Sequence, residues 1–159
     1  MLYASLKAIH LLSIVAWVGG MFFAHVCLRP AAAQVLEPPA RVRLMHAALR
    51  RFLDVVIVAA SLAFLSGAAM IALVWRDRSS AGLAFNVPLD WYAMVGLFFV
   101  MLAVFLHVRL ALFRRVERAM ADQAWPVAAA ALHAIRWEVM INLVIGVFII
   151  VMVRLGGAA

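Results

Sequence analysis

The chain has 159 residues, of which 69% are hydrophobic and 13% are charged, and its formal net charge is +7. A soluble domain is nearer half apolar, so this composition excludes an ordinary soluble domain and predicts a membrane protein. Thirteen of the fourteen basic residues are arginines near the ends of apolar runs, which is how membrane proteins set their orientation, so the charge does not indicate nucleic-acid binding. The single cysteine, Cys27, excludes an internal disulfide.

Four apolar runs are long enough to cross the hydrocarbon core of a bilayer, which needs about 20 helical residues. They cover approximately residues 3–28, 50–75, 91–113 and 132–154. Since lipid cannot hydrogen-bond a free backbone, we expect each run to be helical. The sequence therefore predicts an all-α, integral membrane four-helix bundle that forms a single transmembrane domain over residues 1–159.

The first span carries a stripe of polar and soft side chains. At 100° per residue, His10, Trp17 and Met21 lie on one face of the helix, and His25 lies about 60° round from it. An imidazole that faced lipid would be costly, so we expect this stripe to face protein. The first span is therefore the predicted centre of the bundle.

Polar residues mark the later spans. Asp54 is expected to form an ion pair with a neighbouring arginine or with an arginine of another span, and Asp90 is expected to cap the start of span three. Pro126 is expected in the first turn of a helix that runs into span four, where Asn142 interrupts the apolar run. Residues 40–49, in the first loop, are expected to form a short surface helix.

The distribution of basic residues predicts the topology. Two of the loops, counted with the span ends beside them, hold ten of the fourteen basic residues, and the other side holds four. Cytoplasmic loops are the ones enriched in arginine and lysine. We therefore expect both termini on the external side of the membrane, with the tail 156–159 external and the two arginine-rich loops cytoplasmic.

The histidines are the main candidates for a functional site. There are five: His10, His25, His46, His107 and His133. Neutral imidazole is a common ligand for transition metals and for haem iron. A bis-histidine haem needs both rings at one depth on facing helices, which favours a pair made by His25 with His107 or His133.

His10 has no other histidine near its depth, so its expected partners are thioethers. The candidates there are Met70, Met94 and Met152, and Met21 shares the helix face of His10. Histidine with methionine ligates haem in some cytochromes, and the same soft set suits Cu(I). A haem site needs two ligands at one depth, whereas a copper path needs ligands at successive depths through the membrane. The spread from His10 to His25 is compatible with both.

The chain resembles the small CopD-like membrane proteins, a group linked by name to copper resistance. The residues that carry the resemblance are Leu6-Lys7-Ala8-Ile9-His10, Trp17-Val18-Gly19-Gly20-Met21-Phe22-Phe23-Ala24-His25, Arg29-Pro30, Leu106-His107, Ile135-Arg136, Asn142-Leu143 and Gly146. Lys7-x-x-His10 and Trp17 are also similar to HemJ-type protoporphyrinogen oxidases, four-span proteins thought to carry b-type haem. In that family a lysine in span three accompanies the histidines, and span three here has none.

The leading functional hypothesis is a membrane protein that binds haem b and has a redox or electron-transfer role. Its candidate haem-binding residues are His10, His25, His107, His133, Trp17, Arg136 and Asn142. Trp17 and Tyr92 would pack against the macrocycle, Arg136 or Arg109 would pair with its propionates, and Asn142 would orient a ligand imidazole.

Three alternatives remain open from the sequence. The first is a copper-handling protein that uses His10, His25 and His107 with Met21 and Met94. The second is an oxidoreductase of the HemJ kind, and the third is a structural subunit whose histidines only pack. Besides the lipid bilayer, a homo-oligomer or a redox partner subunit is compatible with the small-residue faces of the spans.

Overall fold

The computed structural model describes residues 1–84 and 86–156, and within them four helices are long and apolar enough to cross a membrane. These helices are α1 (Leu2–Val35), α2 (Pro38–Ser80), α3 (Leu89–Ala121) and α4 (Trp125–Gly156). No strand occurs in this part of the chain. The predicted all-α membrane bundle of four helices is therefore confirmed. The side of the membrane that each terminus faces stays a prediction, and the end of the predicted external tail, 157–159, lies outside the described residues.

The helices extend well beyond the predicted spans at their arginine-rich ends. The first predicted loop shrinks to Leu36 and Glu37, and the expected surface helix 40–49 is instead the first part of α2. Glu37 is extended, with ψ 153°, because a proline disfavours helical backbone in the residue before it. Pro38 and Pro39 then occupy the first turn of α2, where a missing N–H removes no helical hydrogen bond.

Two helices end in the same hydrogen-bonded turn. After α2, the Leu83 amide donates to the Arg78 carbonyl at 3.0 Å, around Gly82 at φ 66°. After α3, the Ala124 amide donates to the Ala119 carbonyl at 2.8 Å, around Gln123 at φ 55°. This is the Schellman arrangement, which satisfies the last carbonyls of a helix and favours a residue of positive φ. After α3, this turn leaves only residues 122–124 between α3 and α4.

Two of the predictions for acidic residues have opposite outcomes. The ion pair of Asp54 is confirmed, since Arg109 of α3 donates to its Oδ1 at 2.9 Å. The N-cap prediction for Asp90 is wrong, because extended Pro88 occupies the cap position and the helix begins at Leu89. Asp90 lies in the first turn instead, where its negative charge interacts favourably with the positive end of the helix dipole.

The helices pack as two hairpins. α1 packs mainly on α2, and α3 packs mainly on α4, while α4 also contacts α1 and α2. The most deeply buried large side chains are Met21, Val56, Phe113 and Val116. Many large apolar side chains point outward, as expected for a surface that faces lipid.

Three segments of the helices are wound as π-helix. They are Val15–Gly19 and Ala24–Leu28 in α1, and Val108–Leu112 in α3. Each accommodates an extra residue, so side chains beyond it are rotated relative to a regular α-helix, and such segments are frequent at functional sites. Trp17 lies in the first segment and His25 in the second, so His25, which lies beyond the first segment, departs in direction from a simple 100° extrapolation.

Adjacent glycines of α1 give a direct test of its packing against α2. A Cβ on Gly20 would collide with the ring of Phe52, whereas one on Gly19 would meet nothing within 4 Å. We expect Gly20→Ala to lower the free energy of unfolding by about 1–3 kcal/mol through overpacking. Gly19→Ala, the matched control, should leave stability unchanged or raise it by up to about 1 kcal/mol. Denaturation in mixed micelles measures both, and equal stabilities would contradict this packing.

Candidate functional site

His10 is held on α2 by one of its two ring nitrogens. Its Nδ1 lies 2.9 Å from the carbonyl oxygen of Ala63 and 3.2 Å from the hydroxyl of Ser66. The Ser66 hydroxyl itself donates to the Leu62 carbonyl. A carbonyl can only accept, so Nδ1 carries the proton, and in the neutral ring Nε2 keeps its lone pair. A backbone carbonyl that fixes the tautomer in this way is a usual feature of ligand histidines.

A glycine on α2 makes room for this imidazole. A Cβ on Gly67 would lie 3.2 Å from Cε1 of His10 and 3.5 Å from its Nδ1. The close approach lets the ring lie flat against α2 while its hydrogen bond to Ala63 forms. Together, Ala63, Ser66 and Gly67 fix the position of the His10 ring, and the carbonyl of Ala63 fixes the tautomer of the neutral ring.

His10 lines an apolar cavity between the four helices. The cavity has a volume of about 210 Å³, and its lining includes Trp17 of α1 with Met94 and Met101 of α3. Sites for drug-sized ligands and cofactors run from roughly 300 to 1,000 Å³, so this space suits an ion better than a macrocycle. We call it the histidine–methionine cavity.

Met101 is fixed in the wall of this cavity from the side of α4. The Asn142 amide nitrogen donates to the Met101 carbonyl at 3.1 Å, and Asn142 is only 4% exposed. A Cβ on Gly146 would lie 3.3 Å from the methyl carbon of Met101 and 3.7 Å from its sulfur. Asn142 therefore joins α4 to the backbone of α3 at Met101, and Gly146 leaves room for the Met101 thioether beside α4. The expected role of Asn142 in orienting a ligand imidazole stays a prediction.

Trp17 closes the cavity with an aromatic cluster. Its ring packs edge-on against Phe98 at 6.1 Å and Phe105 at 6.2 Å between centroids. Only 4% of Trp17 is exposed. Edge-to-face pairs of this kind stabilise a rigid arrangement, and the indole therefore forms a fixed wall beside His10.

The donor set of this cavity is soft. Among the described residues, no group of three or more His, Cys, Asp or Glu side chains could hold a metal ion, so a site of that hard or intermediate kind is not present there. One imidazole and two thioethers instead line a single cavity. Thioethers are soft ligands, which is the kind of ligand that Cu(I) prefers.

A second cavity of about 580 Å³ lies at the arginine-rich end of the bundle, between α1, α2 and α4. It brings together His25, His133 and Arg136, as the haem hypothesis requires. Arg29, Arg41, Met45 and Trp125 also line it. We call it the arginine cavity. The pairing of His25 with His133 as ligands stays a prediction.

The remaining candidates lie apart from both cavities. His107 is exposed on the surface of α3, and Met21, 1% exposed, is packed in the core. His46 stacks on Phe113 at 5.3 Å between ring centroids. None of these three side chains lines either cavity. His107, one of the two partners expected for His25 at the same depth, thus does not share a cavity with His25. Ligand roles for His107 and Met21 stay predictions.

Sequence reasoning missed Met101 and the anchors of His10. Met101 lies seven residues after Met94, two helical turns on, so the spacing already places both thioethers on one face of α3. No comparable signal identifies Ala63, because its contribution is a backbone carbonyl. Ser66 stood out in the sequence only as a small residue for close packing.

The sequence of this chain matches a known protein family. A family model described as "CopD: Copper resistance protein D" matches residues 46–155, which include Met94, Met101 and Asn142. His10 and Trp17 precede the matched region. No curated protein matches the chain, and no solved structure does. Because the match spans more than half of a chain with four membrane-length helices, this protein belongs to the CopD family of copper resistance proteins.

Proposed function

We propose that the protein handles copper within the membrane, with Cu(I) as its cargo, bound in the histidine–methionine cavity. The observation that carries the proposal is the hydrogen bond between Nδ1 of His10 and the Ala63 carbonyl, which leaves a lone pair on Nε2 of a residue that lines the same cavity as Met94 and Met101. The family description supports copper as the metal.

The chemistry of the cavity favours Cu(I) over Cu(II). Imidazole and thioether are neutral ligands, and Cu(I) accepts such soft donors without a carboxylate, while Cu(II) prefers tetragonal nitrogen and oxygen ligands. The cavity wall is almost wholly apolar, so water does not compete well with the protein ligands. Trp17 and Phe98 would hold the donors in place, since both are parts of a packed aromatic cluster.

The experiment is a Cu(I) titration of the purified, full-length protein under anaerobic conditions, by competition with a chromogenic Cu(I) chelator. We expect one tightly bound equivalent. The Met94→Leu/Met101→Leu variant should bind at least about tenfold more weakly, because it loses both thioethers. Leucine nearly conserves the volume of methionine, so the fold should persist at a cost below about 1.5 kcal/mol per site.

Met152→Leu is the matched control for this titration. Met152 lies on α4 and was a candidate partner of His10 in the sequence, but it does not line the cavity. Its affinity for Cu(I) should stay within about twofold of the wild type. An unchanged affinity in the Met94/Met101 double variant, or no Cu(I) binding in the wild type, would overturn the proposal.

Haem b with an electron-transfer role stays a prediction that the family match does not support. The histidine–methionine cavity is small for a porphyrin, and His107 lies outside both cavities. The absorption spectrum of the purified protein separates the hypotheses, since a Soret band with sharp reduced α and β bands would indicate haem. We further propose a location in a bacterial inner membrane, as the resemblance to CopD-like proteins implies, with the arginine-rich helix ends on the cytoplasmic side.

A further inference from the structure

The arginine cavity carries an unusual concentration of positive charge. Arg29 of α1, Arg41 of α2 and Arg136 of α4 all line it, and no acidic side chain does. Among the described residues the one arginine–carboxylate salt bridge is Arg109 with Asp54, so none of the three cavity arginines forms a salt bridge. Three guanidinium groups confined together repel one another, and an anion between them would relieve that repulsion.

Contacts between the helices fix the walls of the arginine cavity in place. Arg29 donates from Nη2 to the Leu132 carbonyl at 2.9 Å, which ties the end of α1 to α4. Arg43 lies 5.0 Å over the ring of Trp125 and so fixes this wall from outside the cavity. α2 begins at Pro38 and α4 begins at Trp125, and both residues line the cavity, so the positive ends of two helix dipoles add to the field of the arginines.

The positive charges of the three arginines argue against a second copper-binding site in this cavity. His25, His133 and Met45 line the cavity and would be acceptable ligands by type. A copper cation among three unpaired guanidinium groups would be repelled, whereas phosphate oxygens match the bidentate fork of arginine. The apolar part of the wall, which includes Val42 and Leu132, would accept the start of a hydrocarbon chain beside the phosphate.

We propose that the arginine cavity binds a phosphate-bearing anion, either the headgroup of an anionic membrane lipid or a free phosphate. The position of the cavity at the ends of membrane-length helices favours the lipid, since basic pockets between transmembrane helices are known sites for anionic headgroups. The proposal is independent of the copper function, because the two cavities share no lining residue.

Native mass spectrometry of the full-length protein tests this inference. The protein is released from mild detergent micelles that contain equal amounts of phosphatidylglycerol and phosphatidylcholine. We expect one retained phosphatidylglycerol and no selective retention of phosphatidylcholine. The Arg41→Gln/Arg136→Gln variant should bind phosphatidylglycerol about 30-fold more weakly, given the usual contribution of each basic residue to anionic-lipid binding. Arg29 is left in place because it also joins α1 to α4.

The matched control is Arg114→Gln/Arg115→Gln, which removes the same charge from two exposed arginines that do not line the cavity. It should retain the lipid like the wild type. Millimolar inorganic phosphate distinguishes the sources: displacement of the lipid indicates a site for phosphate itself, and persistence indicates a lipid site. If the double variant does not fold, Arg136→Gln alone is scored in the same way. Equal retention of both lipids, or an unchanged cavity variant, would overturn the inference.

Discussion

Replacing His10 with alanine should weaken Cu(I) binding by more than about 100-fold. Loss of an outer-shell partner of a metal ligand already costs roughly 10- to 100-fold, and His10 is the single imidazole in the histidine–methionine cavity. Its removal leaves two thioethers in an apolar space, with no nitrogen donor to complete the site. The measurement is the anaerobic competition titration, read as the dissociation constant.

His107→Ala is the control for this variant. His107 also lies within an apolar span, but its side chain is exposed and lines neither cavity, so its loss should change the Cu(I) affinity by less than about twofold. A stability measurement accompanies both variants, because His10→Ala also loses its hydrogen bond to α2. Equal losses of affinity in the two variants would contradict the assignment of His10 to the cavity site.

Asn142→Asp should be the most destabilising of the substitutions considered. Asn142 is 4% exposed, and its amide nitrogen donates to the Met101 carbonyl at 3.1 Å. A carboxylate cannot donate, so this change would place a negative charge against a carbonyl oxygen inside an apolar span. A charge at the centre of a transmembrane helix costs about 2.5–3.5 kcal/mol on insertion scales. We expect the free energy of unfolding in mixed micelles to fall by about that amount.

Asn142→Leu separates the charge from the lost hydrogen bond. The Oδ1 of Asn142 is buried and has no hydrogen-bond partner among the described residues, so leucine removes an unsatisfied acceptor together with the donor. Such a replacement of similar shape can be nearly neutral, and we expect a change below about 1 kcal/mol. An aspartate variant as stable as the leucine variant would contradict a buried position of this side chain against the Met101 carbonyl.

The four spans were predictable because the bilayer imposes one constraint on all of them. A run such as 91–113 has to be helical wherever lipid surrounds it, whatever its neighbours are. The residues at which the helices begin and end were harder to predict from the sequence. Residues 40–49 were expected to form a separate surface helix, but nothing interrupts the chain between Pro39 and span two, and α2 runs through as one helix.

The candidate site was predictable in part. The polar character of His10 and the softness of Met94 are properties of the residues themselves, and both side chains line one cavity. Met101 was overlooked although it repeats Met94 two turns later. The anchor at Ala63 was inaccessible, since every residue has a carbonyl, and only the helix packing decides which one accepts from His10.

The depth of a residue in the membrane was a poorer guide to its neighbours than the face of the helix on which it lies. His107 and His133 were both placed near the depth of His25 by counting residues, yet only His133 lines the same cavity as His25. A count along the helix axis gives height but not direction. Direction in α1 depends on its two π segments, which no hydropathy pattern reveals.

The π segments also affect how this chain should be aligned with other members of its family. Each commonly corresponds to a single inserted residue within an otherwise regular helix. A homologue that lacks the extra residue at Val108–Leu112 would have the equivalent of Asn142 at residue number 141, counted as in this chain. The side chain would nevertheless occupy the same place in the fold. One-residue gaps inside the spans of such an alignment are therefore expected, and forbidding them would pair the wrong side chains.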